Sequence, residues 1–248
     1  MDFAEVAEQV SPEIITVENV PELTQHRVFR SFVKRLQNAG YHLKHDFVYC
    51  PDYGIPQSRT RLVLLGSRFG QIDLPSPTHL KNRPTVRAAI GELNCIAAGE
   101  SDSSDALHRA CHLSGLNMSR MQASKPGGTW RDWPNSLRAE CHKVQSGATY
   151  PAVYGRMVWD DPSPTITTQF FGYGNGRFGH PEQNRALSLR EGAILQTFPH
   201  DYEFHAPSSR MSIQKLGQLI GNAVPVRLGY VIGKAIFSHL KQLKSSDV

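Results

Sequence analysis

The chain begins with a short β-branched run, Ile14-Ile15-Thr16-Val17, which predicts a buried parallel strand. From His26 to Ala39 the apolar residues Val28, Phe29, Phe32, Val33 and Leu36 recur at helical spacing, and Gly40 supplies a C-terminal stop. Phe47-Val48-Tyr49 and Arg61-Leu62-Val63-Leu64-Leu65 then predict two strands, with Gly54 and Pro56 bending the chain between them. Leu74-Pro75-Ser76-Pro77-Thr78 reads as a linker. Residues 80–150 have little periodicity and include Gly-Gly-Thr-Trp-Arg-Asp-Trp-Pro at 127–134, the pattern of a loop-rich smaller domain. Regular structure returns at Ser188-Leu189-Arg190-Glu191, where hydroxyl and carboxylate can cap each other's backbone N–H groups. That helix should run to about Thr197, before Pro199. A last helix should start near Val226, with Leu228, Val231, Ile232, Ala235, Ile236 and Leu240 on its buried side. No internal repeat is visible.

Composition narrows this picture. The 248 residues are 40% hydrophobic and 20% charged, an ordinary balance for a soluble globular chain of one large domain or two small ones. No apolar run approaches the ~20 residues of a membrane span, and Met1-Asp2-Phe3-Ala4-Glu5 is not a secretory signal. The four cysteines (Cys50, Cys95, Cys111, Cys141) lack metal-type spacing and read as reduced thiols. A formal net charge of +5 suits a polyanionic partner, since Lys and Arg displace counterions from phosphates.

Four runs then belong together: Glu18-Asn19-Val20; Gln57-Ser58-Arg59-Thr60-Arg61, preceded by Asp52-Tyr53-Gly54-Ile55-Pro56; Arg185 to Pro199; and Gly221-Asn222-Ala223-Val224-Pro225. In this order the chain resembles the later part of the DNA cytosine-5 methyltransferases, apart from Val226 where the pattern has a second Pro. The resemblance also takes in Trp159 to Thr167 and Gly176 to Pro181. It implies an α/β fold: the C-terminal half of a Rossmann-like, S-adenosylmethionine-dependent methyltransferase sheet with a smaller, loop-rich target-recognition domain. The expected divisions are 1–74 (catalytic half), 75–187 (target recognition) and 188–248 (helical return bearing a cofactor-side turn).

The same resemblance assigns roles. Glu18 would hydrogen-bond cytosine N3 and the exocyclic amine, and burial in a closed pocket would raise its pKa toward proton donation. Arg59 and Arg61, two apart on a predicted strand and so on one face, would respectively build the site and contact the base carbonyl. Asn222 and Ala223 would meet the methionine end of S-adenosylmethionine, on the reading that a Gly-Asn turn opens a helix and exposes backbone N–H groups. Arg131, Arg138 and Lys143, with Trp130, Trp133 and His142, could supply base and phosphate contacts, though a core role for the tryptophans is the leading alternative. Arg177 and Arg185 are further phosphate candidates, while Arg190 and Glu191 read as an ion pair or cap.

Such an enzyme also needs a Gly-rich cofactor loop and a Pro-Cys-Gln nucleophile. The seventeen residues before Glu18 contain neither Cys nor Gly. Cys50-Pro51 reverses the required order and reads as a packed thiol. Strand–helix–strand units of ~30 residues put the missing portion on the order of 100 residues. The expectation is therefore a split enzyme, completed by a complementary N-terminal chain, or a chain whose upstream segment lies elsewhere, inactive alone and acting on duplex DNA in a bacterial cytoplasm. A non-catalytic DNA-binding module and a tRNA cytosine-5 methyltransferase fragment are the alternatives.

Overall fold

The computed structural model describes residues 2–204 and 211–246. The elements in chain order are α1 (Phe3–Val10), β1 (Ile14–Asn19), α2 (Arg27–Asn38), β2 (His42–Tyr49), β3 (Gln57–Ser58), β4 (Thr60–Ser67), α3 (Val86–Ile90), α4 (Gly115–Ala123), β5 (Ser163–Pro164), α5 (Leu189–Leu195), α6 (Ile213–Asn222) and α7 (Val226–Ser246), with short 3-10 turns between them. They form two compact units. The first comprises residues 1–54, 59–81 and 227–248, the second 55–58 and 82–226. The chain passes from the first unit to the second between Lys81 and Asn82. Among the described residues, those from 188 to 226 belong to the second unit and those from 227 to 246 to the first.

The first unit is built on a three-stranded antiparallel sheet of order β1-β4-β2. β4 lies in the middle, from Ile14↔Ser67 to Asn19↔Leu62 on one side and from His42↔Ser67 to Tyr49↔Thr60 on the other. Being central, β4 is the strand whose sequence is continuously apolar, and Leu62, Val63, Leu64 and Leu65 are all buried. The expected parallel pairing of Ile14–Val17 is corrected: β1 runs antiparallel to β4. Nor is the run buried throughout: Ile15 is buried, whereas Thr16 is exposed and Ile14 and Val17 are half-buried.

α1, which the apolar pattern did not reveal, opens with a capping box between Asp2 and Glu5. It buries Ala4 and Ala7 against Ile15, Leu36 and Tyr41. α2 follows its predicted span and buries Phe29 and Leu36, whereas Val28 is 73% exposed, one position off the buried stripe. Gly40 adopts φ +89, the left-handed stop expected there. α7 packs Leu228, Val231, Ile232 and Ala235 inward.

The second unit has little regular structure but a dense core. β3 pairs parallel with β5. Phe170, Ile166, Leu187, Leu189, Leu195 and Leu216 belong to one buried cluster. Two glycines let the aromatic pair Phe170–Phe171 approach the helices: a Cβ on Gly192 of α5 would lie 2.1 Å from the Phe170 ring, and one on Gly217 of α6 2.1 Å from that of Phe171. Ser188 caps α5 reciprocally with Glu191, as its sequence predicted.

Arg156 ties the loops together. Its guanidinium donates to the carbonyls of Met121, Ser124, His180 and Gln183 and to the Asn184 side chain. Among the described residues no helix is long and apolar enough to cross a membrane, and no cluster of three His, Cys, Asp or Glu could hold a metal ion.

Candidate active site and candidate nucleic-acid contacts

Sheet register brings Glu18 and Arg61 together. Glu18 of β1 lies opposite Val63, and Arg61 is two residues along β4 on that same face, a diagonal neighbour within reach of long side chains. Arg61 Nε lies 2.7 Å from Glu18 Oε1, both side chains being mostly buried yet still solvent-accessible. Charge and proximity hold this contact rather than an aligned hydrogen bond, since Glu18 Oε1 has no partner of hydrogen-bond geometry. Glu18 thus forms an ion pair with Arg61 in this structure.

Arg59 lies between β3 and β4 rather than on a strand, and it is only 8% exposed. Burial, and then repulsion from Arg61, lower its pKa, with Glu18 opposing them. Cys50 is bound into the same neighbourhood, its backbone N–H donating to the Arg59 carbonyl at 2.9 Å. The Cys50 thiol is fully buried, and burial pushes its pKa up to about 11 despite the two arginines. It is a packed thiol, as its sequence context suggested. The cluster of Glu18, Arg59 and Arg61 bears one net positive charge and offers both a carboxylate and guanidinium donors to a planar polar ligand.

The Gly-Asn turn differs from expectation. Gly221 and Asn222 end α6 rather than opening a helix, and Ala223 is its C-terminal cap. Gly221 is small because the backbone of Thr167 and Thr168 passes within 2.5 Å of where a Cβ would sit. The Ala223 N–H donates to Ile220 O, and the Val226 N–H to Gln196 O. The turn presents two exposed side chains outward, the polar Asn222 and the apolar Val224. The sequence signal for α6 was present in Ser212, whose hydroxyl accepts from the Lys215 N–H.

In the second unit the basic candidates separate. Arg131 and Lys143 are exposed and Arg138 is half-buried. The guanidiniums of Arg131 and Arg138 lie 5.5 and 6.0 Å from the Trp130 ring centre, and Arg138 donates to the Arg131 carbonyl. Lys143 pairs with Glu140 at 2.5 Å. Trp130 and Trp133 are core residues, 4% and 3% exposed. Trp130 stacks on His142 at 4.3 Å, and Trp133 donates to Ser124 Oγ. Arg177 is half-buried and donates to the carbonyls of Gly128 and Arg156.

Arg185 requires a correction as a phosphate contact. It is wholly buried and grips Glu191 with two bonds of 2.7 Å, while Nε reaches Ile96 O and Gln183. Burial works against the Glu191 charge, but the Arg185 bonds and charge outweigh it and hold the carboxyl below its ordinary range. Arg190 pairs instead with Asp105, so both residues of the Arg190-Glu191 step are structural. The role of Arg156 was invisible in sequence, because its acceptors are mostly backbone carbonyls.

The family model described as C-5 cytosine-specific DNA methylase matches residues 1–238. A Type II methylase of Herpetosiphon aurantiacus, M.HgiDII, is 51% identical over 246 residues, covering 98% of this chain and 69% of that one. The Type II methyltransferase M1.HphI of Haemophilus parahaemolyticus is 32% identical, covering 95% of this chain and 59% of that one. The chain thus spans between about half and two thirds of the length of such relatives. In fold it is similar to a putative DNA modification methyltransferase from an E. coli prophage, with a TM-score of 0.69 and 18% identity over 96% of this chain and 73% of that one. It is likewise similar to the S. pombe Dnmt2 methyltransferase, with a TM-score of 0.57 and 18% identity over 93% of this chain and 68% of that one. The mixed α/β architecture is that of part of a Rossmann-like methyltransferase, and the chain belongs to the C-5 cytosine-specific DNA methylase family.

Proposed function

We propose that this chain supplies the base-holding and DNA-facing portions of an enzyme that transfers a methyl group from S-adenosylmethionine to C5 of cytosine in duplex DNA. The observation that carries the reading is the Glu18–Arg61 pair beside buried Arg59. On a bound cytosine, Arg61 would donate to the ring carbonyl and Glu18 would meet N3 and the exocyclic amine. Charge developing on the ring during nucleophilic attack is thereby stabilised. Arg59 would orient this pair from behind. S-adenosylmethionine supplies the methyl group when bound, and the outward Asn222 amide, next to Ala223, fits its polar amino-acid end.

The attack itself needs a thiolate. Cys50, at about 11, is protonated at neutral pH. We assign the nucleophile and the rest of the cofactor cradle to a segment outside these 248 residues, on a second polypeptide or on preceding sequence. Arg131, Arg138 and Lys143 are assigned to DNA phosphates, with Arg177 shaping the loops beneath them. The setting would be the bacterial cytoplasm, alongside a restriction activity of the kind the Type II relatives' names imply.

The test is methyl transfer from labelled S-adenosylmethionine to DNA. The 248-residue chain alone should transfer none, and co-expression with the N-terminal portion of a relative should restore transfer. Glu18→Gln or Arg61→Ala in that complex should then remove most of it, while Cys50→Ala should leave it intact. Full activity of either site variant would remove these assignments, and transfer by the chain alone that vanishes in Cys50→Ala would make Cys50 the nucleophile.

A further inference from the structure

We propose that the buried amides of Gln57 and Gln196 form a positioning relay that sets the Ala223–Pro225 turn and hence the presentation of Asn222. The inference rests on the methyltransferase reading for its functional meaning, but not for its geometry.

Both residues are 0% exposed. The Gln57 amide nitrogen donates to Gln196 Oε1 at 3.0 Å and to Leu195 O at 3.3 Å, and its oxygen accepts the Ile166 N–H at 3.1 Å. The Gln196 nitrogen in turn donates to Ile220 O at 2.9 Å and Ala223 O at 3.3 Å. Its backbone carbonyl accepts the Val226 N–H at 3.0 Å.

The direction of this chain of bonds is fixed. Turning the Gln57 amide over would set its oxygen against the Leu195 carbonyl and its nitrogen against the Ile166 N–H. With Gln57 held, Gln196 can only present its nitrogen to α6.

The acceptors are also telling. The last carbonyls of a helix and the first N–H groups of the next have no partner within their own helix. Gln196 satisfies carbonyls at the end of α6 with its side chain and an N–H at the start of α7 with its backbone. One residue thus spans the turn whose exposed polar side chain is Asn222. Aliphatic side chains could fill the same volume, but they could not set the turn. Gln57 lies two residues before Arg59, so the run bearing the base-holding arginines also anchors the cofactor-side turn.

Amide hydrogen exchange in the 248-residue chain tests the relay without DNA or cofactor, so its outcome is independent of whether the methyltransferase reading holds. Gln57→Met should speed exchange at Ala223 and Val226 at least about tenfold, with the amides of α4, in the same unit, changing less than about twofold. Gln196→Met, which removes the donors to Ile220 and Ala223 directly, should act alike if the Gln57→Met variant does not fold. The double variant Gln57→Met/Gln196→Met should match Gln196→Met alone, because Gln57 acts through Gln196. In the complemented enzyme, Gln57→Met should raise KM for S-adenosylmethionine more than it lowers kcat. Unchanged exchange at Ala223 and Val226, a uniform rise across the unit, additive effects, or a fall in kcat at constant KM would each overturn the relay.

Discussion

Replacing Arg185 by Met separates a structural cation from a DNA contact. The side chain is fully buried, and its partner Glu191 is 1% exposed. Besides the two bonds to Glu191, Arg185 donates to Ile96, Gln183 and Ala186. Met fills most of the volume but leaves the Glu191 carboxylate with the Ser188 N–H at 2.6 Å and a neutral His180 ring at 3.6 Å. Removing one partner of a buried pair costs about 3–5 kcal/mol. For a unit of this size each kcal/mol moves the melting temperature by roughly 2–4 °C, giving a fall on the order of 10 °C. Calorimetry of the 248-residue chain measures it. The double variant Arg185→Met/Glu191→Gln should recover at least half of the loss, because no uncompensated charge is then buried. A phosphate contact would behave oppositely: melting would hold and the salt dependence of DNA binding would weaken by about one unit of slope. A melting temperature within about 2 °C of the parent would refute the structural assignment.

Two further outcomes follow from buried groups. Burial holds the His180 imidazole down at about 4, below the unfolded value of about 6.5. The unfolded chain therefore binds a proton that the folded chain refuses, so stability falls from about pH 6.5 to about pH 4 by up to about 3 kcal/mol. Denaturant titrations should show that slope, and His180→Asn, which retains an acceptor for the N–H groups of Glu182 and Gln183, should flatten it; an unchanged slope in His180→Asn would place the titration elsewhere. Gly192→Ala, though it favours helix, should destabilise by about 1–3 kcal/mol, because the new methyl meets the Phe170 ring at 2.1 Å. A rise in melting temperature would show that the ring can yield.

What sequence could show was local or periodic. The Ser188–Glu191 cap, the span of α2, the stop at Gly40 and the face of α7 each depend on neighbours a few residues away. Glu18 and Arg61 were legible through their motifs, but their meeting depends on the β1–β4 register, 43 residues apart in the chain. The burial of Arg185 was not legible, because an Arg-x-Leu-Ser run looks the same whether its guanidinium faces solvent or a capping carboxylate. The Gly-Asn turn was misplaced for a related reason: glycine there serves the close approach of the Thr167–Thr168 backbone, a distant contact, rather than a helix start. The antiparallel β2–β4 pair follows from the return through the turn at Gly54, but the antiparallel β1–β4 pair joins strands distant in the chain, which an apolar run does not encode.

Arg156 has a consequence for long-range electrostatics. Its described acceptors are carbonyl groups and one amide oxygen, with no carboxylate among them. Dipoles satisfy a guanidinium's hydrogen bonds without cancelling its charge. The monopole therefore persists beneath the loops, and its burial limits how closely mobile counterions can approach it. Unlike the exposed lysine that pairs with Glu140, it cannot be neutralised by a neighbouring side chain turning toward it. The loop-rich unit thus has a permanent positive bias built into its interior, one that would attract a polyanion from a distance before any surface side chain makes contact.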